Sequence, residues 1–278
     1  ARFIGNVGWR QNEQTFDAGY VSSSLGVPGL ELGYGYLWKV QRVFGSAGNK
    51  LALADFDSNS HTASIAYTFD DGPRVAVFGH FLDLWNKSKV TDVNSSDSYG
   101  IRLTGSVPFA QQGEVGYSAS YAYQKDADDN PFDYHAHYVW VESTLGWKPV
   151  GSVGVGFEML GSDDGRARFV TPLATAHKFN GFADVFVDNG GPRGLQDLFV
   201  TVAPKLPFGL MGKVVYHHFW SDFGGDSLGD EIDGVVSKNL GYGFSVLAKA
   251  AYFNGAAAGH AMGRPDIWRA TLDITWAL

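Results

Sequence analysis

The 278-residue chain contains no cysteine, so neither a disulfide framework nor a thiolate metal site is available to it. Charged residues make up only 18%, below the roughly quarter of an average soluble protein. No run of about 18 apolar residues occurs, which excludes a transmembrane helix. Apolar residues at i, i+3, i+4 and i+7 do not recur over any convincing stretch, so a helical α/β enzyme is not indicated. Neither a G-x-S-x-G elbow nor an H-E-x-x-H helix is present. The formal net charge of −8 disfavours a nucleic-acid partner, which calls for a basic face.

What the chain has instead is alternation. It is 45% apolar and 15% aromatic, with 36 glycines. A mean hydropathy near zero does not exclude a membrane, because in a barrel every second residue meets lipid. Segments of about ten residues alternate apolar with polar, joined in turn by tight Gly/Pro turns and longer polar loops. In Leu30–Val40, Leu32, Tyr34, Tyr36, Trp38 and Val40 fall on one face; Glu31, Gly33, Gly35 and Lys39 fall on the other. His61–Asp70 turns at 71–73 into Arg74–Leu84, and Ser98–Val107 turns at Pro108–Gly113 into Glu114–Gln124. Tyr134–Trp147 and Ser152–Leu160, Leu195–Lys205 and Leu210–Trp220, and Glu231–Lys238 and Phe244–Phe253 form further pairs. Thr15–Leu25 opens the series. Asp266–Leu278 closes it, with Leu272 and Ile274 opposite Arg269 and Asp273.

About thirteen segments result, each near the ~9–11 residues that cross a bilayer as a tilted strand. The expected fold is an all-β, transmembrane, antiparallel up-and-down β-barrel spanning 1–278 as one domain, with short periplasmic turns and long extracellular loops. Trp38, Trp85, Trp147, Trp220, Trp268 and Trp276 fall near segment ends, where aromatic girdles sit. An odd strand number with Ala1 outside is unusual for such a barrel, so the expectation is that N-terminal strands are missing from this sequence.

One stretch breaks the pattern. Gly161–Gly194 is too long for a hairpin, and its centre, Phe169–Phe186 (FVTPLATAHKFNGFADVF), is too apolar for a free surface loop. It is expected to fold into the pore. His177, Lys178 and Asn180 are its candidate pore residues. A second polar-aromatic segment near the N-terminus carries Arg2, Arg10 and Glu13. Either it forms a lumen constriction that touches solute, or its charges pair with the barrel wall; both place it inside the pore. Arg102 and Arg269 are candidate cations of the wall.

Metal and cofactor signals are weak. His135 and His137 share a face but lack a Cys or carboxylate partner, and His217 with His218 is a similar pair. The loop with Asp126, Asp128, Asp129 and Asp133 could offer oxygens to Ca²⁺ but lacks the twelve-residue spacing with a terminal Glu. No resident metal or cofactor is expected.

Arg2–Ala18 (RFIGNVGWRQNEQTFDA), the Phe169–Phe186 stretch and Gly194–Val200 (GLQDLFV) resemble the hallmark blocks of alginate-export-family outer-membrane proteins. Elsewhere the resemblance is one of strand pattern. It implies a porin in a bacterial outer membrane, surrounded by lipid and lipopolysaccharide, passing small or anionic hydrophilic solutes, an anionic polysaccharide among them. In that family several strands precede the first block. Its type member has a strongly basic lumen; here the inward candidates are mixed, with Glu31, Glu114, Glu142, Glu158, Asp197 and Asp273 beside Lys39, Arg102, Lys213, Lys249 and Arg269. Two other readings stay open: a barrel sheathing a partner protein such as an electron carrier, and a barrel enzyme with a Ser–His pair on neighbouring strands.

Overall fold

A computed structural model describes residues 2–8, 13–43, 54–70, 72–86 and 94–277. The strands are β1 (Thr15–Ser23), β2 (Leu30–Gln41), β3 (Asp55–Thr68), β4 (Arg74–Leu82), β5 (Leu84–Trp85), β6 (Ser96–Phe109), β7 (Gly113–Asp126), β8 (His135–Trp147) and β9 (Gly151–Leu160). They continue with β10 (Ser162–Asp163), β11 (Ala167–Arg168), β12 (Leu195–Pro204), β13 (Met211–Trp220), β14 (Ser227–Gly241), β15 (Phe244–Gly255) and β16 (Ile267–Trp276). One sheet holds fourteen of them. Thirteen run as a continuous series from β1 to β16, and β5 pairs with β3 off that path. Each wall strand is antiparallel to its neighbours, as tight hairpins dictate. The far edges of β1 and β16 pair with no other strand among the described residues. A bilayer requires backbone groups on such edges to be paired.

Register shows why the alternation matters. Ile65, Val77, Ile101 and Tyr121 stand side by side across β3, β4, β6 and β7. All four are exposed, between 45% and 59%. On the opposite face Ser98, Gln124 and Ala136 form a row, each at most 2% exposed. Apolar residues outside and polar residues inside invert the soluble pattern and describe a lipid-facing wall. Trp38, Trp147, Trp268 and Trp276 are exposed near strand ends, as girdle residues are. Trp140, by contrast, lines the lumen.

Three features differ from the expectation. β3 begins at Asp55 and β14 at Ser227, earlier than the apolar alternation, because pairing continues into the polar segments beyond it. The Asn254–Pro265 loop carries a short helix, α1 (Ala257–Ala261), where small residues let the backbone bond to itself. The third is a β-bulge between Leu37 and Lys39. A one-residue slip flips every following side chain. Val40 therefore faces inward, fully buried against Phe56. Lys39, read from alternation as inward, stands on the other face with Asp55 and Asp57.

Candidate pore constriction

The connection from β9 to β12 packs against the buried face of the sheet. Its first turn is the β10–β11 hairpin; the chain then crosses the lumen. Phe169, Leu173, Ala183 and Phe186 are fully buried. Phe169 packs on Tyr138, with ring centroids 5.5 Å apart, and Phe186 lies 4.5 Å from Phe219 and 5.6 Å from Phe253. Burying each of these rings contributes roughly 1.5–3 kcal/mol, which offsets the entropy of ordering the loop.

The wall meets the loop's backbone polar groups with side chains. Gln124 accepts from the Val170 N–H at 2.7 Å and donates to its carbonyl at 3.0 Å. Glu231 accepts the Ala183 N–H at 2.7 Å, and Asp233 accepts the Phe182 N–H at 3.0 Å. The turn leading into these two N–H groups needs Gly181, whose φ is +86° and whose missing Cβ would sit 2.5 Å from the Glu231 carboxylate. Asp184 pairs with Arg269 of β16, and Arg264 donates to Asp188 at 2.6 Å.

The N-terminal segment lies against this loop. Ile4 and Leu173 form a parallel bridge, and the Gly5 N–H donates to the Leu173 carbonyl at 2.9 Å. Gln14 caps both strands of that contact, donating to the carbonyls of Gly5 and Leu173 at 2.9 and 3.1 Å. Phe3 sits among Phe78, His80, Tyr138 and Phe169. Arg2 is buried against Glu158 of β9. The other oxygen of Glu158 accepts from Asn180 at 2.8 Å. One carboxylate thus ties both inserted segments to the wall.

Together they divide the lumen. On the short-turn side is a cavity of about 480 Å³ with Arg102, Lys178 and Lys213 facing Glu142 and Asp233, and with Trp140, Phe179 and Phe199 as aromatic walls. On the long-loop side is a cavity of about 310 Å³ that includes Gln14, Arg42, Asn94, Arg168 and His177. The 3₁₀ turn Ala176–Lys178 with Phe179 is the partition, since His177 lines one cavity and Lys178 and Phe179 the other.

The expected site residues divide accordingly. Lys178 projects, exposed, into the larger cavity, where Arg102 joins it. Arg2 borders the same cavity but is spent on Glu158. Asn180 is buried on Glu158 rather than open to the pore, and His177 is buried between Asp184 and Lys249. Arg269 clamps the tail of the loop through Asp184. Glu13 accepts from Asn6 at 3.0 Å and lines neither cavity. Arg10 lies outside the described residues. Trp140 and Asp233 are lumen residues that the sequence reading did not single out; the inward parity of Glu142 and Glu231, two positions from each, is the signal that points to them.

The two histidine pairs differ, and only His217 and His218 part to opposite faces. His135 and His137 stand on the outer face stacked with Tyr121 and Tyr123, and Tyr121 meets His137 at 2.8 Å. His217 points inward to Asp197 while His218 points outward to Asp230. Among the described residues no three His, Asp or Glu side chains converge as metal ligands. In the acidic loop, partial burial and the neighbouring charges of Asp97 and Asp129 push the Asp128 carboxyl up.

No protein-family model and no curated protein sequence matches the chain. Solved structures do. OprD of Pseudomonas aeruginosa superposes with a TM-score of 0.73 at 15% identity, covering 100% of this chain and 72% of its own. OpdK of P. aeruginosa, solved with vanillate, gives 0.71 at 16%, covering 97% and 70%. OccAB4 of Acinetobacter baumannii gives 0.70 at 16%, covering 96% and 66%. The chain shares the fold of these outer-membrane β-barrels. The chain spans about two thirds of the length of these OprD/Occ-type barrels, and the alginate-export resemblance finds no counterpart among them.

Proposed function

We propose that the chain forms a passive outer-membrane channel for small hydrophilic solutes, with anions favoured, its long loops outside and its short turns at the periplasm. The observation that carries this is Lys178, held on the partition turn and projecting into the larger cavity beside Arg102 and Lys213. A cation at a narrow, low-dielectric opening attracts anions and slows cations. Glu142 and Asp233 on the same cavity temper that field, which suits small solutes bearing one carboxylate better than a polyanion. The aromatic walls add a surface for flat rings, and the vanillate bound to OpdK belongs to that chemical class.

A polymer such as alginate is a less favoured cargo, because the chain's own loop splits the lumen into two compartments of a few hundred Å³. The same filling leaves little room for a sheathed protein partner. Lipid and lipopolysaccharide are the proposed surroundings of the apolar outer face.

In planar bilayers with a KCl gradient, Lys178→Glu is expected to shift the reversal potential toward cation preference. An unchanged reversal potential would remove Lys178 from the conduction path and with it the main support for this reading.

A further inference from the structure

On β9 the outward side chains Val153 and Val155 are exposed, and the inward positions alternate with them. Gly156 is one of these, and it is buried. It stands in a row with Glu142 of β8, Phe199 of β12 and His217 of β13. Those three border the larger cavity; Gly156 does not, because the Phe199 ring covers it. A Cβ at position 156 would stand 2.6 and 2.9 Å from two carbons of that ring and closer still to its tip, Cζ. Non-bonded carbons need about 3.5–4.0 Å. The ring therefore rests in a notch that only glycine leaves open.

The flanks of the ring are occupied. Trp140 of β8 stands 5.1 Å away between ring centroids, and His217 stands at 5.9 Å. Trp140 in turn meets Phe179 of the partition edge-on at 5.8 Å, and His217 is held by Asp197 at 2.9 Å. A methyl group beneath the Phe199 ring would have to lift it, and the open direction is the cavity of about 480 Å³. Restoring van der Waals distance moves the ring by roughly 1 Å.

Such a shift takes depth from the aromatic side of the cavity and leaves its charges alone. Arg102, Lys178, Lys213 and Glu142 keep their side chains whatever stands at position 156. A solute with a ring should therefore feel the change, while a compact ion of the same charge should not. Interiors packed this closely register even one added methylene.

We propose that Gly156 determines the specificity of the larger cavity: its missing side chain seats Phe199 in the wall and so keeps room for a solute that carries a flat six-membered ring beside its carboxylate. The proposal rests on the channel reading. Gly156 acts as a positioning residue, through Phe199 and without touching solute. Gly105 of β6 makes the same kind of joint on the outer face, where a Cβ would stand 2.6 Å from Cζ of Tyr117. Its parity is that of exposed Leu103 and Val107, so it controls for the cost of a methyl group in such a joint.

Because the chain has no cysteine, a single reporter can be placed at Thr201, which lines the larger cavity two residues from Phe199. The Thr201→Cys protein in lipid nanodiscs is labelled with benzyl and with methyl methanethiosulfonate, and the ratio of the two rates is read. Gly156→Ala should lower the benzyl-to-methyl ratio about tenfold, the lower end of what one methylene is worth in an apolar pocket. Adding Phe199→Leu, which removes the ring tip, should restore it, and Gly105→Ala should leave it unchanged. An unchanged ratio in Gly156→Ala, no restoration by Phe199→Leu, or the same fall in Gly105→Ala overturns the proposal. Phe199→Leu alone, which puts no methyl group in the notch, should hold the ratio at or above the wild-type value; a fall overturns the proposal even if Gly156→Ala does not fold. In vesicles, Gly156→Ala should slow benzoate entry relative to acetate, and equal slowing of both counts against it. Wild-type vesicles that pass neither anion would sink the channel reading, while the labelling ratio still decides the role of Gly156.

Discussion

Leu272 and Asp273 are neighbours in sequence that face different media. Leu272 is 67% exposed on the face where Ile274 and Trp268 also stand. Arg269, two pairs away on the opposite parity, reaches the inserted loop, which fixes that parity as the lumen. An Arg at position 272 would put its charge into hydrocarbon. Leu272→Arg is expected to cost roughly 2–4 kcal/mol near the bilayer midplane, while lumen-side Asp273→Arg should cost much less. Urea-dependent folding into phospholipid vesicles measures both. Equal costs would mean that the β16 register is wrong.

At the scale of the elements, Glu158 joins two insertions that are far apart in sequence. Arg2 comes from the N-terminal segment and Asn180 from the loop, and each takes one oxygen of the same buried carboxylate. Removing one partner of a buried ion pair leaves an uncompensated charge and costs about 3–5 kcal/mol. Glu158→Ala and Arg2→Met are each expected to fall in that range, with the double variant well short of their sum. A double-mutant cycle on thermal or urea unfolding decides it, and additive losses would deny the coupling. These contacts also mark where sequence reading stops. The strand series, its turns, the outward faces and the burial of the apolar residues of Phe169–Phe186 follow from alternation and composition, which are local. The face of Lys39 does not, because a single bulge residue reverses parity without changing composition. Nor do the fates of His177 and Asn180. Both are polar residues in a loop, and only the positions of Lys249 and Glu158, brought near by the sheet, decide that they are wall contacts while Lys178 lines the larger cavity.

On the channel reading proposed above, the resistance of the molecule is set by what its wall encloses. Between the buried anchors Leu173 and Phe186, the loop contributes the 3₁₀ turn, Phe179 and Phe182. Deleting Ala174–Asp184 removes these while leaving Leu173 on Ile4 and Phe186 on Phe219 and Phe253. The cavities of about 480 and 310 Å³ then become one. Conductance should rise, because the narrowest section is gone. Ion preference should move as well. The deletion takes away Lys178 and uncovers Glu231 and Asp233, whose oxygens the loop's N–H groups now occupy. Cations should gain through both changes, whereas Lys178→Glu alone should alter preference with little effect on conductance. Planar-bilayer recordings of the two variants separate the loop's two roles, obstruction and charge. A deletion that conducts like the wild type would place the current path elsewhere in the barrel.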